Sequence, residues 1–240
     1  MEKVENCMPN VVSYNTVING LCKEGLIREA MDLFLEMRSK GVVPNVVTFT
    51  TLIDGVCFLG ELKEAMRLFD GMIDHNISPD AQTYSVLIDA LCKNGMVAKA
   101  KDMMEIMIQR GVKPDVVTYN SVIDGYCLEG EIDKARMVFD TMIGHGCDGD
   151  VLSYRILING YGKKRMRDEA LRLFEEMASK GLVPDVVTYS SLIAGLCNVG
   201  RTRSAQDLLH KMQAVGQHPD IQTLLVYSTV YAKMESLKKQ

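Results

Sequence analysis

The chain has 240 residues, of which 47% are hydrophobic, with a formal net charge of −4 and no tryptophan. That apolar content excludes a disordered chain, and no apolar run reaches the length of a membrane-spanning helix. The acidic balance argues against a protein that works mainly by neutralising phosphates, since such proteins are usually basic.

In chain order, the opening MEKVENCMPN (residues 1–10) has neither the apolar core of a signal peptide nor the Arg- and Ser-rich character of a transit peptide. It reads as the tail of an earlier repeat, because Pro9 and Asn10 begin a series. Pro44, Pro79, Pro114, Pro184 and Pro219 follow at steps of 35, with Gly149 in the one missing slot, and each slot is followed by Asn or Asp. Ala30, Ala65, Ala100, Ala135, Ala170 and Ala205 keep the same step, as do Met37, Met72, Met107, Met142, Met177 and Met212. A fixed period of this size marks a repeat array, whose units contact only their neighbours. The units are 11–45, 46–80, 81–115, 116–150, 151–185 and 186–220, followed by a partial repeat, 221–240, read as a capping helix. A chain that opens in mid-unit is expected to be a fragment or short relative of a longer array.

Residues 116–150 show what one unit encodes. Tyr119, Val122, Ile123, Tyr126 and Cys127 fall at i, i+3, i+4, i+7 and i+8, the stripe of an amphipathic helix. Thr118 is expected to be its N-cap, as are Ser13, Thr48, Thr83, Ser153, Thr188 and Thr223 in the other units. Gly130 ends the first helix, of about 12 residues; Ile132, Ala135, Phe139 and Met142 line a second of about 13, closed by Gly146. A single hairpin cannot bury both stripes, so the units must stack. The fold class is all-α: a solenoid (superhelix) of tandem 35-residue helix–turn–helix repeats.

Cys22, Cys57, Cys92, Cys127 and Cys197 hold one place in five units, and the other has Gly162. One thiol per repeat is a packing pattern and implies a reducing compartment; no C-x-x-C pair suggests a metal or disulfide.

Where the framework repeats, the residues that differ are candidates for recognition. The fifth residue of each unit is Asn15, Thr50, Ser85, Asn120, Arg155 or Ser190, with Leu225 in the partial unit. It lies outside the apolar stripe and is expected to be exposed along one side of the stack. The last residue, Asn45, Asp80, Asp115, Asp150, Asp185 or Asp220, should come close to that side. A local role at a helix boundary explains the Asx equally well. Short amides and hydroxyls in a regular row also suit the reading of base edges, one base per helical repeat.

The hairpin VVTYNSVIDGYCLEGEIDKARMVFDTMI, closing in Pro–Asp or Pro–Asn, resembles a pentatricopeptide repeat of the plain 35-residue type. V-x-[ST]-[YF] openings and L-C-K-x-G turns resemble the fertility-restorer-like subgroup of plants. The resemblance covers essentially the whole chain. It implies sequence-specific binding of single-stranded RNA in organellar RNA processing or stability, in mitochondria or chloroplasts, with mitochondria the first expectation. It further implies that the fifth and last residues of each unit select the base and that the second residue wedges between bases. The wedges here would be Val12, Val47, Gln82, Val117, Leu152 and Val187. By the family's pairing rules, Asn15 with Asn45 takes C or U, Thr50 with Asp80 takes G, and Ser85 with Asp115 favours G. Asn120 with Asp150 takes U, and Ser190 with Asp220 favours G. With RNA running 5′ to 3′ along the chain, the expected core is 5′-[C/U]GGUNG-3′.

Three positions depart from the pattern. Arg155 with Asp185 is not a usual pair, and Gly149 in place of proline is expected to loosen Asp150. The family's phosphate-contacting lysine is matched by Lys23, Lys93 and Lys163, but Phe58, Leu128 and Asn198 stand in the other units.

The rival reading is a tetratricopeptide-like scaffold for protein partners. Its period is 34 and its signature uses tryptophan, and neither fits. An enzyme is not expected: His75, His145, His210 and His218 are scattered, while Asp54, Asp89 and Asp124 are copies of one surface residue. There is no H-x-E with P-C-x-x-C. The expected partner is single-stranded RNA, beside protein partners in RNA processing, with no membrane, cofactor or metal.

Overall fold

The structure, a computed structural model, describes residues 9–198, 200–221 and 223–228. Most of residues 1–10, with Cys7, and much of the expected capping helix, 229–240, lie outside the described residues.

Helices alternate with short turns at the step read from the sequence, and the chain divides into two compact units, Met1–Thr118 and Tyr119–Gln240. The first contains α1 (Val11–Lys23), α2 (Ile27–Ser39), α3 (Val46–Phe58), α4 (Leu62–Asp74), α5 (Ala81–Lys93) and α6 (Val97–Gln109). The rest are α7 (Val116–Glu129), α8 (Ile132–Gly144), α9 (Val151–Lys163), α10 (Arg167–Ser179), α11 (Val186–Cys197) and α12 (Thr202–Ala214), and residues 223–228 are helical again. This is an α-solenoid of tandem hairpins. In the first unit α1 packs on α3 and α3 on α5, so first helices form one layer; α2 and α4 pack on the following first helix. In the second, α9 packs on α11 in the same way, and α10 covers both.

The helix starts correct one expectation. The N-cap is the Asx, not the Ser or Thr three residues on. Asn10, Asn45, Asp80, Asp150 and Asp185 have extended backbone and accept from the N–H of the third helical residue. Asx and Ser/Thr are both good caps, and the Asx comes first in the chain, where the preceding proline or glycine has already stopped the previous segment. First helices run 12–14 residues, slightly longer than the stripe suggested.

Glycine ends the hairpin's first helix for a conformational reason. Gly25 has φ 75°, its N–H bonds to Cys22 O at 3.1 Å, and Leu26 N bonds to Leu21 O at 2.9 Å. That left-handed turn is cheap only for glycine. The fifth repeat makes it with Arg165 at φ 62° instead, at a cost of about 1 kcal/mol.

Between hairpins the core is aliphatic and methionine-rich. The six repeated alanines and six repeated methionines are all buried, the small residue letting helices approach. Phe34 meets Phe49, and Phe69 meets Tyr84, edge to face at 5.4 and 5.6 Å; Phe139–Tyr154 and Phe174–Tyr189 repeat this at 5.2 Å. These contacts tie α2, α4, α8 and α10 each to the next first helix. Four of the repeated thiols are buried and Cys57 is half-buried, which suits packing residues. Burial, assisted by Asp54 and Asp89, pushes the Cys57 thiol up to about 12, and burial with Asp124 does the same at Cys127.

Candidate nucleic-acid interface

The Asx cap does more than start a helix. Its side chain also meets the fifth residue of the preceding first helix, 30 positions earlier. Asn15 Nδ2 donates to Asn45 Oδ1 at 3.1 Å, and Asn120 Nδ2 donates to Asp150 Oδ1 at 3.2 Å. Arg155 Nη1 donates to Asp185 Oδ2 at 2.6 Å. The two positions expected to share a base therefore adjoin in three repeats by direct hydrogen bonds.

A third residue meets both members of the step in five repeats, and the Asx alone in the fifth. Thr48 Oγ1 donates to Asn15 Oδ1 at 2.6 Å, and Ser153 Oγ donates to Asn120 Oδ1 at 2.6 Å. Thr83 Oγ1 lies 2.7 Å from Thr50 Oγ1 and donates to Asp80 Oδ1 at 2.8 Å. Thr118 Oγ1 lies 2.6 Å from Ser85 Oγ and donates to Asp115 Oδ1 at 2.8 Å. Thr188 Oγ1 donates to Asp185 Oδ1 at 2.7 Å, and Thr223 Oγ1 sits 2.7 Å from Ser190 Oγ and 2.6 Å from Asp220 Oδ1. Sequence reading gave these hydroxyls a capping role only. The missed signal was a Ser or Thr in that slot of every unit, three residues beyond a residue already assigned to base selection.

The same set accounts for burial. Among the described residues, the buried polar side chains are Thr48, Thr83, Thr118, Ser153, Thr188 and Thr223 together with Thr50 and Asn120. Buried polar groups persist where they are hydrogen-bonded, and all eight belong to this network. The fifth residue is consequently not exposed, as its place on a lone helix suggested. Thr50 and Asn120 are 5% and 4% exposed, and Asn15, Ser85, Arg155 and Ser190 are half-buried, because the next first helix packs across them. The Asx stays exposed or half-buried, so the pair forms a recessed polar step with the Asx at its lip.

Gly149 does not loosen Asp150. That carboxylate accepts from Ser153 N at 2.8 Å and from Asn120, with Ser153 Oγ 2.9 Å away, while Phe139 fills the proline's space 2.9 Å from where a Cβ would stand. Partial burial pushes the Asp150 pKa up, but the Ser153 and Asn120 hydrogen bonds outweigh it and hold the carboxyl below its ordinary value. Asp185 shows the same direction, with burial opposed by Thr188 and then by the Arg155 charge.

The second residue of each unit carries an exposed side chain, aliphatic in five of the six. Val12, Val47, Val117 and Val187 are between 50% and 66% exposed, Leu152 is 39% exposed, and Gln82 is exposed. Valine on the open face of a helix's first turn has no packing role here. Lys23, Lys93 and Lys163 are exposed at the far end of their first helices, and Lys93 pairs with Asp89 at 2.7 Å. Phe58 and Leu128 occupy that slot elsewhere, 79% and 63% exposed.

The histidines serve structure where their contacts are described. His75 Nδ1 bonds to Gly71 O at 2.6 Å and its Nε2 accepts from Arg38 at 3.0 Å; Tyr119 Oη and His145 Nδ1 are 2.7 Å apart. Among the described residues no group of three His, Cys, Asp or Glu could hold a metal ion, and no helix is long and apolar enough to cross a membrane.

An α-solenoid that repeats a polar pair beside an exposed side chain, hairpin after hairpin, is modular in architecture. The model of the PPR repeat family matches residues 9–58, 44–93, 86–127, 114–163, 150–198 and 184–233, and the chain belongs to that family. A pentatricopeptide repeat-containing protein of Arabidopsis thaliana is 53% identical over 32 residues, which is 13% of this chain and 4% of that protein. The crystal structure of the maize pentatricopeptide repeat protein PPR10 superposes with a TM-score of 0.74 at 23% identity, covering 98% of this chain and 38% of that one. PPR10 in complex with an 18-nucleotide psaJ RNA element superposes with a TM-score of 0.62 at 27% identity, over 98% of this chain and 40% of that chain. The PPR domain of Arabidopsis protein-only RNase P 1, in complex with tRNA, gives 0.66 at 17% identity over 75% and 95%. The chain thus spans a small part of its curated relative and about two fifths of PPR10.

Proposed function

We propose that the chain binds single-stranded RNA in a sequence-selective way, one base per repeat, and acts by binding rather than catalysis. The observation that carries this is the six-fold recurrence of a step in which the fifth and last residues are hydrogen-bonded, directly in three repeats and through a Thr hydroxyl in three, on a family scaffold that in PPR10 is seen with RNA.

Hydrogen-bond inventory supports the base assignments. At Asn120 and Asp150, one Nδ2 proton stands beside a carboxylate that keeps lone pairs after its Ser153, Asn120 and Leu152 bonds, a donor beside an acceptor, which suits the carbonyl and N3–H of uracil. At Asn15 and Asn45 the unused groups are both amide protons, which suits the acceptors of C or U. At Thr50 and Asp80 a hydroxyl lone pair lies beside a free carboxylate oxygen, two acceptors suited to guanine's adjacent N1–H and N2–H. Ser85 Oγ, 2.8 Å from Ala81 O and 2.6 Å from Thr118 Oγ1, and Ser190 Oγ each keep a lone pair beside Asp115 and Asp220, and these pairs take G. The fifth unit, Arg155 with Asp185, is closed by its own ion pair and accepts any base. The core is 5′-[C/U]GGUNG-3′, with Val12, Val47, Gln82, Val117, Leu152 and Val187 as wedges and Lys23, Lys93 and Lys163 toward phosphate. Organellar RNA processing or stability, with mitochondria the first expectation, is the setting this reading carries.

Fluorescence anisotropy tests this with a labelled single strand carrying CGGUUG in an A-rich context, a scrambled strand and the DNA equivalent. Preference for the intact RNA, reduced by Asn120→Ala, is the expected result. Equal weak binding to all three overturns it.

A further inference from the structure

The hydroxyl on the third residue of each first helix has no base-reading role by position, since Thr48, Thr83 and Ser153 are fully buried. From its hydrogen bonds we infer that this hydroxyl sets the polarity of the preceding step, deciding whether the fifth residue offers a base a donor or a lone pair. The inference rests on the RNA-binding reading above and assigns Thr48, Thr83 and Ser153 as positioning residues.

A hydroxyl has one proton to give, and the network shows where it goes. In the fourth repeat, the Asn120 amide lies between Asp150 Oδ1 at 3.2 Å and Ser153 Oγ at 2.6 Å. Its oxygen cannot face the carboxylate oxygen without repulsion, so Nδ2 does. The amide oxygen then faces Ser153, which must give it the proton, and Ser153 Oγ accepts from Asp150 N at 3.1 Å. Asn120 is left with one N–H for a base. Thr48 does the same for Asn15 in the first repeat, accepting from Asn45 N at 3.1 Å.

The second repeat runs the other way. Thr83 gives its proton to Asp80 Oδ1 at 2.8 Å. The 2.7 Å contact with Thr50 therefore needs the Thr50 proton, and Thr50 is left with a lone pair only. One buried hydroxyl, turned in two directions, makes a donor step in the first and fourth repeats and an acceptor step in the second. Asp80 holds its carboxylate in place by accepting from Thr83 N at 2.9 Å, so the helix start does not depend on the hydroxyl.

The test substitutes Thr83→Val and, as rescue, Thr83→Ser, in the 240-residue chain. Anisotropy is read against four RNAs differing only at the second base of the core and four differing only at the fourth. Without an acceptor for its proton, Thr50 can donate, and the guanine preference at the second base should fall about tenfold, the loss of one hydrogen bond, with the fourth-base preference unchanged. Thr83→Ser should restore it. Ser153→Ala should do the converse, lowering the uracil preference at the fourth base and sparing the second. A Thr83→Val chain that keeps its guanine preference, or that weakens equally toward all four bases, overturns the inference. A wild-type chain without preference at either base overturns the underlying reading instead, and that shows before any variant is compared.

Discussion

Arg155→Asn should turn the fifth repeat from an indifferent step into a uracil-selective one. Arg155 Nη1 sits 2.6 Å from Asp185 Oδ2, with the two side chains 30% and 34% exposed, so the pair is well screened and worth roughly 0.2–1 kcal/mol. Removing it leaves Asp185 capped by Thr188 N at 2.8 Å and Thr188 Oγ1 at 2.7 Å, and stability should change little. An asparagine at that position stands where Asn120 stands over Asp150, with Thr188 supplying the hydroxyl that Ser153 supplies there. A donor and a carboxylate oxygen then face the base in place of an ion pair, and a well-placed two-bond contact discriminates by about 1–3 kcal/mol, or about 5- to 150-fold. Anisotropy with the fifth base of CGGUNG varied among four bases measures it. Wild type should discriminate little, and Arg155→Asn should favour U. A variant with unchanged fold and flat preference, in a chain that still selects U at the fourth base, would show that the step geometry does not determine the base.

Two further outcomes follow from the hydrogen bonds. Tyr84 Oη is buried without a partner, where Tyr154 Oη donates to Glu176 at 2.8 Å; the residue 22 positions on is Glu176 in one case and Ile106 in the other. Chemical denaturation should therefore find Tyr84→Phe neutral or stabilising by about 1 kcal/mol and Tyr154→Phe destabilising by about 1–2 kcal/mol; equal losses contradict this. The folded pKa of Asp150 lies below its ordinary 3.8, so its contribution is present above that value and is lost as pH falls through the folded value. The stability gap between wild type and Asp150→Asn, measured by urea titration, should hold from neutrality and close in acid below 3.8; a gap unchanged in strong acid refutes it.

Much of the scaffold is legible in a single chain because a repeat supplies its own comparison. Ala135 and Met142 declare a packed second helix through their copies at one step, and Gly130 declares a turn. What stays hidden depends on contacts about 30 residues away. Helix periodicity places Asn120 off the apolar stripe, and only the packing of α9 against its neighbour makes it buried. Thr83 reads as a cap from local rules, since Asp80 and Thr83 both qualify; that it also touches Thr50 is a property of stacked repeats. Gly149 reads as a weakness because proline is missing, yet Phe139 closes the gap.

The charge of the interface bears on how binding would be driven. An acidic scaffold binds a polyanion most readily through a lining that is not acidic, yet Asp80, Asp115 and Asp220 are exposed at the lip of their steps, and Asp54 and Asp124 are exposed further along the first helices. Against them stand Lys23, Lys93 and Lys163, and Lys93 is held by Asp89. Two or three phosphate contacts on a single strand give a slope of log K against log salt of about −1.4 to −2.1. Most of the affinity must then come from base edges and from wedging by the exposed valines, which salt barely screens. Anisotropy across a tenfold range of salt measures the slope directly. A shallow slope with retained base preference fits side chains that read bases. A slope steeper than about −4 would require more cations than this row holds, on the same scale of about 0.7 per contact, and would move the RNA to a different face of the hairpins.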